Sequence, residues 1–414
     1  MNKPRICLVT NWYPSVDNPY RGIFFKEQAI AVENNFDFLV FNYREKIKKK
    51  PVRTITIKEN GKEANITEYK IDVYLPLRLF ILDKIETFKR KYIKKNGEDG
   101  TGRYYSKARI KYLNKLWEKI LTGLNEKFDA LYCVDAQNEA MLLSIISQLT
   151  NKPYVVSEHA PFPWPGTVIA DYQKKAIENA DGILAISYDK IRQMQLQNVK
   201  LKNVSYIGNL VDETQFVIAN RKDNSVKTLL IVAANSFYKN YDLFIEIMNR
   251  LTKITTTDFR IMIVGYASNK GYSKDTEILE SKIRNSDFAE KVELIPEVPH
   301  SEIVSVYNNA DVFIMTSIQE GQPVSALEAA CCGLPVFSTG CGGVEDYVTE
   351  EIGRIYNMMD VESFANGLKD FVEGRITFDS EIIRNRIVSK FGKKAFVTNF
   401  TNVFNDVISN KTEG

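Results

Sequence analysis

Short runs of β-branched, aromatic and aliphatic residues recur along this chain, and each is followed by a longer stretch that is polar or apolar at helical spacing. In the first half these runs are residues 5–10 (RICLVT), 36–41 (FDFLVF), 70–75 (KIDVYL), 130–134 (ALYCV), 154–158 (YVVSE) and 182–187 (GILAIS). A second series opens at 228–234 (TLLIVAA). It continues through 259–265, 291–295, 311–317, 335–339 and 352–356. Strand alternating with helix predicts parallel sheets covered by helices on both faces, because a crossover helix is what returns the chain to start a parallel neighbour.

Two such series predict two doubly wound α/β domains, and 414 residues suit two cores better than one. The expected division is 1–208 and 209–390. The join lies near Asn209–Asn224, where GNLVDETQF runs into the polar NRKDNSVK. Residues 391–414 read as an amphipathic helix whose apolar side packs back on the first domain. Residues 94–104 (KKNGEDGTGRY), Gly-rich and charged, read as a mobile loop. Domains of this class facing one another make a cleft at the carboxyl ends of their strands, where open α/β sheets take their ligands.

Composition narrows the chemistry. No run approaches the roughly 18 consecutive apolar residues of a membrane span, and the apolar stretch at 5–10 is too short for a signal-peptide core. The expected location is cytoplasmic. Cys7, Cys133, Cys331, Cys332 and Cys341 form no CxxC pair and lie in apolar surroundings, so buried free thiols are expected. With two histidines in the chain, His159 and His300, no His-rich metal centre is expected either. The net charge of +3 is unevenly spread. Residues 44–53 (REKIKKKPVR) are basic, and 84–119 interleave Lys and Arg with Tyr, Phe, Leu and Trp117. A solvated helix face, an anionic membrane surface and nucleic acid all fit that pattern, the last least because no nucleic-acid motif accompanies it.

The segment richest in chemistry is 317–339, SIQEGQPVSALEAACCGLPVFST. A strand ends near Ser317, a loop carries Glu320 and Gly321, and a helix starts around Pro323, where a missing N–H costs nothing. It runs through Glu328 to Gly333. The N–H groups on either side of Pro323, those of Gln322, Val324 and Ser325, mark a helix start, which favours an anion. Two carboxylates beside bound phosphates suit the hydroxyls of a sugar or ribose.

Glu320 and Glu328, with seven residues between them, then AxxxGLPV and a Gly-Gly pair, resemble the donor-site signature of the family 4 retaining glycosyltransferases of the GT-B fold. The resemblance implies two Rossmann-like domains facing across a cleft, with Glu328 on the donor ribose and Glu320 near the transferred sugar. It extends to YPSVDNPYRGIFFKEQA (13–29), where Gly22 lets backbone approach the donor diphosphate, and to SEHAPFPWPG (157–166), which places His159 near the transferred sugar. In VAANSFYKNYDLFIE (232–246), Lys239 fills the family's phosphate-binding lysine position, but Ala234 stands where an arginine is usual. After Gly342-Gly343 the chain has Val344-Glu345-Asp346 in place of Pro-Glu. His300, ahead of a helix, is expected to cap or pack.

The implied reaction moves a sugar from a UDP- or GDP-sugar to a saccharide or lipid-linked saccharide with retention of configuration. No metal and no cofactor are expected, since no Asp-x-Asp pair occurs. Surface-polysaccharide or glycolipid assembly at the inner face of a membrane, touched by the first domain, is the implied setting, with no nucleic acid. A dinucleotide dehydrogenase is disfavoured by TNWYPS after the first strand, which has no GxGxxG. A sugar-nucleotide epimerase and an inactive nucleotide-sugar-binding scaffold remain as alternatives.

Overall fold

The computed structural model describes residues 3–15, 21–48, 55–92, 105–137, 139–160, 168–219, 226–267 and 273–412. The segment 94–104 expected to be a loop lies outside the described residues, as do parts of the basic run and of the SEHAPFPWPG segment. The chain divides into two compact units, one of residues 1–207 with 397–414, the other of residues 208–396.

The first unit is built on a sheet of order β3-β4-β2-β1-β5-β6-β7-β8. Its strands are β1 (Arg5–Thr10), β2 (Asp37–Lys48), β3 (Ile55–Glu63), β4 (Ile66–Pro76), β5 (Ala130–Cys133), β6 (Tyr154–Ser157), β7 (Gly182–Ala185) and β8 (Val204–Tyr206). The β1, β5, β6 and β7 strands are buried almost throughout, which is why they read as uninterrupted apolar runs. All pairings are parallel except β3 with β4. That antiparallel hairpin departs from the expected all-parallel order, and β3 occupies a stretch (ITIKENGKE) read as polar. It is an edge strand, where charged residues blunt the unpaired side and hide the strand signal. The connecting helices are α1 (Ile23–Ala31), α2 (Leu77–Tyr92), α3 (Lys107–Leu124), α4 (Ala140–Thr150), α5 (Asp171–Glu178) and α6 (Tyr188–Leu196). Helix α3 turns Leu113, Leu116, Trp117 and Ile120 into the core, so Trp117 is no part of an exposed basic and aromatic surface.

The second unit has sheet order β11-β10-β9-β12-β13-β14, all parallel. The strands are β9 (Lys227–Val232), β10 (Phe259–Val264), β11 (Val292–Ile295), β12 (Val312–Met315), β13 (Val336–Thr339) and β14 (Gly353–Tyr356). Helices α7 (Tyr241–Ile254), α8 (Lys274–Arg284), α9 (Ile303–Asn308), α10 (Val324–Cys331), α11 (Val361–Val372) and α12 (Ser380–Phe391) cover it. The sheet's strand order reverses between β9 and β12, the switch point at which the loops of an open α/β sheet part to make a ligand site.

The tail beyond residue 391 holds one helix. After α12 the chain breaks at Gly392, and α13 (Lys393–Thr412) follows. Within the first unit, Phe400 and Phe404 of α13 stack on each other at 4.5 Å and meet Phe36 and Tyr132 edge-on at 5.6–6.0 Å. All five cysteines are free and buried.

Candidate active site

Three loops at the carboxyl ends of β9, β12 and β13 assemble the candidate site of the second unit. The first runs from Ala233 into a 3-10 turn, Phe237–Lys239, and Asn240 then caps α7. The second is 316–323, and the third is 340–345. Backbone bonds fasten them together. Ile318 N–H donates to Tyr238 O at 2.7 Å, the Thr316 hydroxyl donates to Lys239 O at 3.1 Å, and Glu320 N–H donates to Cys341 O at 2.7 Å. Gly343 is where the third loop passes closest to the second. Its φ is +70°, and a Cβ there would stand 2.3 Å from Gly321 O. Glu345 closes the third loop on itself by accepting the Gly342 N–H on both carboxylate oxygens, at 3.0 and 3.1 Å. The acid after the Gly-Gly pair therefore has a local structural task.

Lys239 and Glu320 meet across these loops, Nζ to Oε1 at 2.6 Å. Pro323 sits at the N-cap of α10, and the first N–H groups of that helix, from Val324 and Ser325 onward, have no intrahelical acceptor. Their dipoles favour an anion beside the Lys239 ammonium. Gln322 is buried and tied to the start of the unit. Its side-chain oxygen accepts the Asn209 N–H, and its carbonyl accepts Asn209 Nδ2 at 2.9 Å. One turn into α10, Glu328 is buried among Ala326, Leu327, Ala329 and Ala330. Its Oε2 accepts the Tyr307 hydroxyl at 2.7 Å, and its Oε1 lies 3.7 Å from His300 Nε2. Burial, and then the Glu328 charge, push the Tyr307 phenol well above its ordinary pKa, so it remains a donor. His300 does not cap α9, whose N-cap is Glu302. It stands edge-on to Phe216 at 6.2 Å and faces Glu328. The expected capping role is thereby corrected, although packing against Phe216 holds.

Asn235, next to Ala234 in the arginine position, donates its amide to Asp275 O at 2.9 Å. Among the described residues no group of three or more His, Cys, Asp or Glu is placed to hold a metal.

In the first unit, Gly22 initiates α1 with φ +64°, and a Cβ there would stand 2.4 Å from Trp12 O, so only glycine fits this approach to the β1 loop. Phe25, in the first turn of α1, meets the His159 ring edge-on at 4.8 Å, which places Gly22 and His159 at one end of the sheet. Two buried acids beside them escaped sequence reasoning. Glu139 accepts the Asn11 N–H at 2.7 Å and so pins the loop after β1. Glu158 accepts the Ala160 N–H at 2.8 Å. Burial and the nearby Asp135 carboxylate raise both well above the ordinary carboxyl range, and Lys190 offsets part of the rise at Glu158. Only EH, the residue pair 158–159, hinted at either.

Residues 212–390 match the sequence model of the family described as glycosyl transferases group 1. That region, less than half of the chain, is similar to the group 1 glycosyl transferases. The match begins at Asp212 and ends at Lys390, so it encloses Lys239, Glu320 and Glu328. A phosphatidylinositol N-acetylglucosaminyltransferase component from Arabidopsis thaliana is 25% identical over 44% of this chain and 40% of its own length. The O-antigen chain mannosyltransferase RfbU of Salmonella typhimurium is 25% identical over 54% of this chain and 62% of its own. The match thus spans less than two thirds of either relative. Sucrose-phosphate synthase of Thermosynechococcus elongatus superposes with a TM-score of 0.72 at 14% identity, covering 99% of this chain and 100% of that one. The fold is GT-B, with two Rossmann-like units, as the donor-site signature implied.

Proposed function

We propose that this chain transfers a sugar from a nucleotide-sugar donor to an acceptor hydroxyl, with retention of configuration and without a metal. The observation that carries the reading is the Lys239–Glu320 pair, 2.6 Å apart, in the loops that lead into α10. A diphosphate seated on the N–H groups of Val324 and Ser325 takes Lys239 as counter-ion. As the glycosidic bond breaks, these preorganised charges stabilise the leaving diphosphate, the task a metal performs elsewhere. Glu320, relieved of the lysine, faces the positive charge that develops on the sugar. Glu328 binds the ribose hydroxyls while Tyr307 and His300 fix its rotamer. Gly22 and His159 in the first unit serve the diphosphate and the transferred sugar. The acceptor attacks from the face the diphosphate leaves, and the departing phosphate takes its proton. No residue is then a general base, and Glu320 is not a covalent nucleophile.

The donor is a UDP- or GDP-sugar. The acceptor is a saccharide or lipid-linked saccharide, in keeping with relatives named for O-antigen and phosphatidylinositol chemistry. We place the protein in the cytoplasm, at the inner face of a membrane. An inactive nucleotide-sugar-binding scaffold is the second reading, favoured by Ala234 in the arginine position and by the commitment of the Asn235 amide to Asp275.

Calorimetry with UDP, GDP, ADP and CMP in EDTA tests the donor site. One nucleoside diphosphate should bind, and Glu328→Ala should weaken it by about 1.5–3 kcal/mol, the loss of a hydrogen bond to a charged group. No binding by the folded protein would sink the donor-site reading. Binding without turnover of the matching sugar nucleotides would favour the scaffold.

A further inference from the structure

Helix α2 turns an apolar stripe away from its own unit. Leu77, Ile81, Ile85 and Phe88 are 55%, 50%, 44% and 58% exposed, and Leu82 is 40% exposed. At about 100° per residue the first four fall within an arc of about 80°. The opposite side of the helix is anchored. Leu79 is buried, Asp83 accepts Arg109 Nη1 at 2.6 Å and Ser106 N–H at 2.8 Å, and Phe80 lies 5.0 Å beneath the Arg109 guanidinium. The stripe is therefore not a core face left uncovered by a slipped helix. It is a second apolar face, outward by construction.

The exposed charges that border it are of one sign. Among the described side chains of α2, the exposed ionic ones are Arg78, Lys84 and Lys89; of its acids, Asp83 is buried and neutralised by Arg109, and Glu86 is half-buried and points about 100° away from the stripe. Arg78 and Lys89 border the stripe on one side and Lys84 on the other. The adjoining helix α3 exposes Lys107, Lys111 and Lys115 at successive turns, with Glu118 and Lys119 at the turn after them. An exposed apolar row flanked by cations is the pattern of an interfacial helix, which buries its apolar side chains at the acyl boundary and sets its cations among anionic headgroups. A second copy of the chain would bring these flanking cations against their own kind, and nucleic acid offers nothing to the apolar row.

We propose that α2 docks this protein on an anionic lipid surface, with Leu77, Ile81, Ile85 and Phe88 inserted and Arg78, Lys84 and Lys89 on the headgroups. This deepens the proposed location at a membrane face but rests on none of the donor-site residues.

The test is co-sedimentation of the full chain with phosphatidylglycerol–phosphatidylcholine vesicles and with phosphatidylcholine vesicles alone. Binding should require phosphatidylglycerol. Ile81→Asn/Ile85→Asn/Phe88→Asn should lower the partition coefficient by about tenfold or more. Arg78→Gln/Lys84→Gln/Lys89→Gln should lower it by about fivefold per cation. Phe88→Trp should add emission that shifts to the blue with the anionic vesicles. Both triple variants should keep the native melting temperature and nucleoside diphosphate affinity, which separates this proposal from the donor-site reading. The proposal is overturned by absence of binding, by binding that the apolar triple variant leaves intact, or by a Phe88→Trp signal unmoved by vesicles. It is equally overturned by a self-associating native chain that the apolar triple variant converts to monomer while vesicle binding is absent.

Discussion

Gly343 in the second unit and Glu158 in the first show two ways in which surroundings constrain a single residue. At Gly343 the constraint is steric. A methyl group at φ +70° would meet Gly321 O at 2.3 Å and the Gln322 Cα at 2.7 Å, both backbone atoms that cannot rotate aside. Gly343→Ala should therefore cost about 2–4 kcal/mol, combining left-handed strain with overpacking. It should also lower nucleoside diphosphate affinity by displacing the loop of Glu320. Urea unfolding and calorimetry check this, and a variant within about 0.5 kcal/mol of native would mean the loops are not pinned there. At Glu158 the constraint is electrostatic. Its carboxyl, like that of Glu139, is raised above the ordinary 4.5 by burial and by Asp135. A carboxyl that holds its proton more tightly when folded leaves stability intact below the unfolded pKa, and that stability is lost as pH rises through the folded value. Glu158→Gln should accordingly match native stability near about pH 4.5 and exceed it near about pH 8, a difference read from unfolding midpoints at the two pH values. Equal midpoints at the higher pH would show that Glu158 carries no such penalty.

Among elements, α3 separates what its residue types suggest from what their positions do. Trp117 is fully buried against Tyr43 and Phe41, at ring distances of 5.3 and 6.1 Å, while Lys111 faces out. Trp117→Ala should cost about 3–5 kcal/mol, whereas Lys111→Gln should stay within about 0.5 kcal/mol. Thermal unfolding of the pair distinguishes core from surface along one helix. The same contrast explains how far the sequence could be read. Strands such as β1, β9 and β12 announce themselves because burial on both faces demands an unbroken apolar run. The edge strand β3 does not, since its charged residues serve to discourage further pairing. In the site, Glu320, Gln322, Pro323 and Glu328 were legible because one loop and one helix start carry them within nine residues of sequence. Tyr307, which holds Glu328 from 21 residues away, and Glu139, which holds Asn11 from 128 away, were not. Such bonds are made by packing, and no local spacing records them.

At the scale of the whole molecule, the chain leaves its first unit after Ile207 and returns to it at Val397. The second unit is thus inserted in sequence between the body of the first and its last helix. Each has its own apolar cluster, one gathered around Trp117 and Leu131, the other around Phe244 and Phe337. Helix α13 buries Phe400 and Phe404 against Phe36 and Tyr132, and Val403 and Val407 beside Gly182. Removal of residues 397–414 strips both rings at once. At about 3–5 kcal/mol for each phenylalanine, the loss equals much of the roughly 5–15 kcal/mol that stabilises a domain. The truncated chain should therefore lose the cooperative unfolding transition of its first unit and keep that of its second, as followed by calorimetric scanning. The loops proposed to bind the donor all lie within 208–396, so the truncated protein should still bind the preferred nucleoside diphosphate while transferring no sugar. Loss of nucleotide binding together with the first transition would mean that the second unit depends on the first for its fold. Retention of both transitions would mean that the paired phenylalanines of α13 add little to the sheet they cover.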